Sequence, residues 1–538
     1  MSKERLYLFD TTLRDGAQTQ GVNMSLSDKL IIARALDDLG VDYVEGGYPG
    51  ANPTDTAFFG EKRNLTNAQL VAFGMTKRAG RSVSNDAGFA ELLRAESQAV
   101  CLVAKTWDYH VKVALGVTNE ENLDAIAESV RAVLETGREA LVDAEHFFDG
   151  YKANRDYALA CVRTAYEAGA RWVVLCDTNG GTLPHEVEAI VADVTTAAPG
   201  DHLGIHAHND TENAVANSLA AVQAGVRQVQ GSLNGLGERC GNANLTSLIP
   251  TLMLKADYAD RFEVGIAPEQ LMKLTHTSRL LDELLNRAPS RSAAYVGESA
   301  FAHKGGIHVS AVQKDPRTYE HVPPEAVGNA RKLLVSNQAG RSNILAELER
   351  LNIAIRPDDP QVAELLDEVK GREASGYTYE GADASFELLA RRLMGEVPEF
   401  FVVESFRVMV ERRHNALGKL ATVSEATVKV RVAGDLVMNV GEGNGPVNAL
   451  DQALRRDLGK YQEYIRNIEL VDYKVRILTG GTDAVTRVLI ETHDKDTSER
   501  WFTVGVSPNI VDASFEALLD SITYKLMKCN APAPHELS

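Results

Sequence analysis

Eight short, β-rich apolar runs alternate with longer helical patterns through the first half of the chain, and this alternation constrains the fold more than any other feature. The runs are Leu6–Asp10, Val41–Glu45, Gln69–Phe73, Ala99–Ala104, Ala140–Glu145, Trp172–Cys176, Leu203–His206 and Gln228–Gly231, and helical stretches such as Asp28–Leu39 and Leu123–Thr136 follow most of them. Strands separated by helices lie parallel, and eight of them close a TIM (β/α)8 barrel whose chemistry gathers at the C-terminal strand ends. The count therefore predicts where reactive side chains fall. Arg14 and Asp15 follow the first run, Glu45 and Glu145 end the second and fifth, and Asp177 and Thr178 follow the sixth. His206 and His208 lie at the seventh, and the eighth leads into Glu238, Arg239 and Asn242.

A chain of 538 residues holds more than such a barrel, which takes about 250. Residues 1–265 read as the barrel, and 266–395 as a linker with helical subdomains, marked by the pattern at Ile344–Leu351 and a break near Pro357 and Pro360. From 396 to 538 the pattern predicts an α+β domain, with strands at Ala426–Val432, Val475–Leu478 and Val485–Thr492 and helices from Val447 and Val511. This part carries an internal repeat. Val440-Gly441, Val447-Asn448-Ala449 and Ala453-Leu454 recur as Val504-Gly505, Val511-Asp512-Ala513 and Ala517-Leu518, which predicts two sheet-plus-helix units related by a pseudo-twofold.

The formal charge of −19 argues against general nucleic-acid binding, which positive surface drives. With 44% hydrophobic and 24% charged residues and no apolar run near the roughly 20 needed to span a bilayer, no membrane association is expected. Lys3, Glu4 and Arg5 lead straight into the first run, so neither signal peptide nor anchor is expected. Cys101, Cys161, Cys176, Cys240 and Cys529 are odd in number and show no CxxC spacing, which points to reduced thiols and a cytoplasmic location.

His206-Ala207-His208 ends a strand, where alternation sends both imidazoles to one face while Ala207 points away. A pair like this is either structural or metal-ligating. With the Asp15 carboxylate it makes a mixed nitrogen and oxygen set suited to Zn²⁺, Mn²⁺, Co²⁺ or Mg²⁺. Asn242 either completes that shell or is a turn residue in the Gly235–Asn242 loop, and Arg14 puts a permanent donor where negative charge on oxygen would develop.

Three runs together resemble the DRE-TIM metallolyases, in the branch of the 2-isopropylmalate, homocitrate and citramalate synthases: Asp10-Thr-Thr-Leu-Arg14-Asp15-Gly-Ala-Gln18, His206-Ala-His208-Asn-Asp210 and Gly235-Leu-Gly-Glu-Arg-Cys-Gly-Asn242. Within the branch, Asp42–Pro53 and Lys77-Arg78-Ala-Gly80 are similar to the long-form citramalate synthases. The resemblance implies condensation of acetyl-CoA with a small 2-oxo acid, pyruvate in that group, in isoleucine biosynthesis. It implies a divalent cation on Asp15, His206 and His208 with Asn242 in or beside the shell. Arg14 would bind the oxo group and Thr178 the acceptor carboxylate, with Arg78 near the substrate. Glu145 would serve water or proton traffic, and His303 would deprotonate acetyl-CoA with Tyr319 beside it, both reaching a partner subunit's barrel in a homodimer. The Val309–Lys314 segment departs from the acidic version of many relatives.

The C-terminal part resembles the regulatory domain of the isopropylmalate synthase group, which implies an amino-acid effector, isoleucine for a citramalate product. The Gly441–Gly445 and Gly480-Gly481 loops are either effector contacts or plain turns. Competing readings are a 2-isopropylmalate synthase using 2-oxoisovalerate, an enzyme like the HMG-CoA lyases, and a sensor that keeps the fold without catalysis. Biotin-dependent carboxyltransferases differ by a carbamylated lysine where Cys176 stands.

Overall fold

The computed structural model describes residues 3–61, 65–333, 340–414, 418–479 and 484–536, and the Gly480-Gly481 loop lies outside them. The chain divides into two compact units: residues up to Phe301 with His321–Arg331, and Ala302–Glu320 with the residues from Lys332 onward.

In the first unit eight parallel strands close a barrel in chain order: β1 Tyr7–Asp10, β2 Tyr43–Gly47, β3 Gln69–Met75, β4 Ala99–Lys105, β5 Glu139–Glu145, β6 Trp172–Asp177, β7 Leu203–Ala207 and β8 Gln228–Gly231. The TIM barrel is as expected. β1 pairs with β8 to complete the closure. β2 runs beyond Glu45 because its register with β3 shifts between Glu45 and Gly47. Helix starts follow local chemistry: Ser25 and Asp28 form a capping box for the helix Leu26–Leu39, and Gly40, at φ 94°, ends it.

Strand alternation sends one set of side chains into the barrel, and that set changes character along the axis. Phe9, Tyr43, Val71, Ala99, Leu141, Trp172 and Val174 form a packed apolar plug, with Tyr7 against Trp172. One pleat further along each strand the same inner face reaches Glu45, Asp143, Cys176, His206 and Gln230, all buried. The outward set, Leu8, Val44, Leu70, Leu102 and Val142 among them, packs into the layer with the surrounding helices. An apolar floor and a polar upper tier fix which end of the barrel carries chemistry.

The second unit holds two three-stranded antiparallel sheets. They are β9 Val402–His414, β10 Leu420–Val432 and β11 Asp435–Gly443, then β12 Ile468–Ile477, β13 Thr486–Asp494 and β14 Arg500–Ser507. A helix follows each sheet, Pro446–Arg456 and Ile510–Lys528. The sequence repeat has a steric basis. A Cβ on Gly441 would meet Ala453 N at 2.5 Å and Ala449 O at 2.6 Å, and one on Gly505 would meet Ala513 O at 2.0 Å and Ala517 N at 3.0 Å. In both sheets the helix backbone lies directly on a strand glycine. β9 escapes the sequence pattern because it carries Arg407, Glu411, Arg412 and Arg413 and is mostly exposed. Upstream, the helices Arg341–Arg350, Pro360–Ala374 and Asp383–Leu393 share an apolar cluster that includes Ile344, Leu348, Val362, Leu365 and Phe386, and Pro360 opens its helix in the first turn. Among the described residues no helix is long and apolar enough to cross a membrane.

Candidate metal centre

The loop after β1 is shaped by Asp10, whose carboxylate accepts from Thr12 N and Thr12 Oγ1 at 2.9 and 2.7 Å. Burial pushes its carboxyl up to about 7 against those bonds. Thr11 N donates to Gly231 O at 2.8 Å, so the turn carrying Arg14 and Asp15 is tied to the end of β8. β7 stops at Ala207, one residue before His208, which continues as a bridge to Asn242. Two backbone bonds hold the Gly-rich loop there: Asn209 N to Gly241 O at 2.8 Å and Ala243 N to Ala207 O at 3.0 Å. Gly241 has φ 88°, and a Cβ on it would meet Gly235 O at 2.0 Å, so this fold of the loop requires glycine there.

These loops bring Asp15, His206 and His208 together, each with one ligand-capable atom within 4.8 Å of the others'. Asp15 Oδ2 lies 3.3 Å from His206 Nε2 and 3.9 Å from His208 Nε2, and the two Nε2 atoms are 3.3 Å apart. Burial alone would raise the Asp15 carboxyl, but Arg14 and the two imidazoles outweigh it and hold it well below the carboxylate range. Burial, reinforced by His206, lowers His208 to about 3, so this ring is neutral and offers a lone pair. Asn242 Oδ1 is buried without a hydrogen-bond partner. One carboxylate and two imidazole nitrogens fit a divalent cation, and the backbone bridge from His208 sets the spare Asn242 amide on the adjoining loop.

Beside this group Arg14 Nε donates to Glu45 Oε2 at 2.6 Å, Nη1 reaches Asp15 Oδ2 at 3.4 Å, and the guanidinium lies 3.9 Å over the Phe73 ring. Burial raises Glu45 to about 7, against the pull of Arg14 and with the help of Asp143. Glu45, Cys101 and Asp143 form a second buried cluster within 4.8 Å. Gln230 links the two groups: His206 Nδ1 lies 2.9 Å from its Oε1, and its Nε2 donates to Asp143 Oδ1 at 3.1 Å. The motifs mark neither Asp143 nor Gln230. Alternation counted along β5 from Glu145, or along β8 from the register of His206 with Gln230, would have found both.

Glu145 is ion-paired with Lys105 at the end of β4. Thr178 Oγ1 accepts from His146 N at 2.8 Å, and its carbonyl accepts from Arg239 at 2.7 Å. Arg78 is exposed, with its backbone N–H on Asp86 at 2.8 Å. His303 and Tyr319 belong to the second unit. There His303 Nε2 lies 3.2 Å from Glu320 Oε1, both side chains buried, while the Tyr319 ring stacks on His308 at 3.9 Å. Glu320 is a partner that no sequence motif marks.

Family models match in three places. The HMGL-like model covers residues 5–277, the homocitrate synthase post-HMGL domain-like model 295–376, and the LeuA allosteric (dimerisation) domain 380–526. The chain is 51% identical to an (R)-citramalate synthase of Geobacter sulfurreducens, over 97% of both chains. It is 50% identical to one of Aquifex aeolicus, over 98% of both, and 49% identical to one of Synechocystis sp., over 98% of this chain and 97% of the relative.

Proposed function

The chain belongs to the family of the (R)-citramalate synthases, acyltransferases that condense acetyl-CoA with a keto acid, and from that premise we propose that it joins acetyl-CoA to pyruvate, giving (R)-citramalate and CoA. The observation that carries the reading is the approach of Asp15, His206 and His208 beside the Arg14 guanidinium at the polar end of the barrel.

Asp15, His206, His208 and Asn242 would hold a divalent cation, which supplies Lewis acidity toward the two oxygens of a 2-oxo acid. Arg14, fixed by Glu45 and Phe73, presents its remaining N–H groups to the oxo oxygen and to the alkoxide that forms there. Thr178, whose hydroxyl oxygen accepts from His146 N and whose proton is thereby aimed elsewhere, donates to the acceptor carboxylate, and exposed Arg78 adds positive charge nearby. His303, braced by Glu320, takes the methyl proton of acetyl-CoA with Tyr319 from the same subdomain. Glu145, held by Lys105, attends the water that cleaves the thioester.

The LeuA-type match supports a homodimer whose C-terminal domain binds an amino-acid effector, isoleucine for this product, with the Gly441–Gly445 loop as a contact. A biosynthetic role in the isoleucine route and a cytoplasmic location complete the reading. The division into barrel 1–265, linker 266–395 and regulatory domain 396–538 stands as part of it.

The test is a steady-state assay of free CoA release with acetyl-CoA and pyruvate, 2-oxobutyrate, 2-oxoisovalerate or 2-oxoglutarate, each with and without EDTA. Release with pyruvate that EDTA abolishes is expected. A preference for 2-oxoisovalerate, or full activity in EDTA, would overturn the acceptor or the cation respectively.

A further inference from the structure

Gln230 sits wholly buried between a candidate ligand and a carboxylate that touches no ligand. A primary amide has two different ends, and its neighbours choose which way it points. The Asp143 carboxylate only accepts, so Gln230 must turn Nε2 toward it, at 3.1 Å, and Oε1 toward His206 Nδ1, at 2.9 Å. An amide oxygen also only accepts, so His206 must carry its hydrogen on Nδ1. In the neutral ring, the form that binds a cation, Nε2 then keeps the lone pair, and Nε2 is the atom facing Asp15 and His208.

We infer that Asp143, acting through Gln230, is a positioning residue that selects the Nδ1–H form of His206 and so makes its Nε2 a ligand. The inference rests on the reading of Asp15, His206 and His208 as a cation site. Asp143, Gln230 and His206 are each at most 4% exposed, so no bulk water is at hand to satisfy either end of the amide if it turned over. Asp143 stands on β5 and Gln230 on β8, which are not neighbours in the barrel, so the link crosses the barrel interior. Cys101, in the same cluster, sets a buried thiol within 4.8 Å of the Asp143 carboxylate, a weak donor that matches an accepting oxygen.

The chain of constraints makes an unusual prediction: an isosteric change remote from the cation weakens it, and a second change restores it. In Asp143→Asn the side chain at 143 can donate as well as accept, so Gln230 is free to present Nε2 to His206 and move the ring hydrogen onto Nε2. Adding Gln230→Glu puts an acceptor-only side chain against both the His206 Nδ1–H and the Asn amide, which restores the assignment. Calorimetric titration of the full-length, metal-free protein with Mn²⁺ and with Co²⁺ reads this without reference to activity. Affinity is expected to fall about 10–100-fold in Asp143→Asn and in Gln230→Leu, and to return to within about threefold of wild type in Asp143→Asn/Gln230→Glu. Wild-type affinity in Asp143→Asn overturns the inference, as does a loss that Gln230→Glu fails to recover in a double variant that melts with the single one. A wild-type protein that binds neither ion overturns the cation site itself, and the inference with it.

Discussion

Arg14 donates its Nε–H to Glu45 at 2.6 Å while Nη1 of the same guanidinium lies 3.4 Å from Asp15, so one planar group is clamped between a buried anion and a candidate ligand. Lysine carries its three donors on a single nitrogen at the end of a flexible stem and lacks the planar fork that here spans the two carboxylates and lies over Phe73. Arg14→Lys is expected to keep the charge and lose about a hundredfold in kcat/KM for CoA release, ~2.7 kcal/mol, with melting unchanged within a few degrees. Activity within a factor of three of wild type would show that charge alone suffices.

Lys29 performs the structural counterpart of this clamp. Its buried Nζ donates to Leu13 O at 2.8 Å and Gly46 O at 3.1 Å and pairs with Asp55, which also accepts from Tyr48 N at 2.9 Å. The loop after β1, which carries Arg14, is thus tied through one ammonium to the end of β2, which carries Glu45, and to the helix Pro53–Gly60. Lys29→Met leaves the Asp55 charge without its counter-ion and is expected to cost about 3–5 kcal/mol in chemical denaturation. A loss under about 1 kcal/mol would mean that the backbone donors suffice.

Asp37 gives the stability a defined acid limit. Its buried carboxylate accepts from Thr66 N, Asn67 N and Ala68 N at 2.9, 2.7 and 2.7 Å. Burial would raise its carboxyl, but the three amides outweigh burial and lower it. The folded pKa is below the unfolded value of about 3.9, so the stabilisation is complete above that value and is lost as pH falls through the folded pKa. Asp37→Asn should lower the melting temperature at pH 7 and flatten its fall below about pH 4 relative to wild type. An unchanged acid slope would contradict the assignment.

Gly505 is the tighter of the two repeat glycines, since a Cβ there would meet Ala513 O at 2.0 Å. Gly505→Ala should push the helix Ile510–Lys528 off β14 and cost about 1–3 kcal/mol or more. Hydrogen exchange is the measurement. Protection of peptides from Arg500–Ser507 and Ile510–Lys528 is expected to fall while that of Leu203–Ala207 in the barrel holds, and uniform protection throughout would refute the steric account.

The sequence by itself determined the barrel, because the period-two strands and the helical stretches between them are local patterns that each segment carries alone. It also determined the candidate ligands, since the spacing of His206 and His208 and the position of Asp15 after a strand are local too, and the repeat, since Gly441 and Gly505 stand at matching distances from their helices. What only the tertiary structure decided is which inner-facing residues meet across the barrel. Gln230 and Asp143 lie 87 positions apart, Glu45 and Arg14 lie 31 apart, and Glu320 finds His303 only once the subdomain is folded. Alternation tells which face a side chain takes but not which strand it looks at. Closure and stagger of the barrel set that pairing, and with it the partners that orient each ligand and donor.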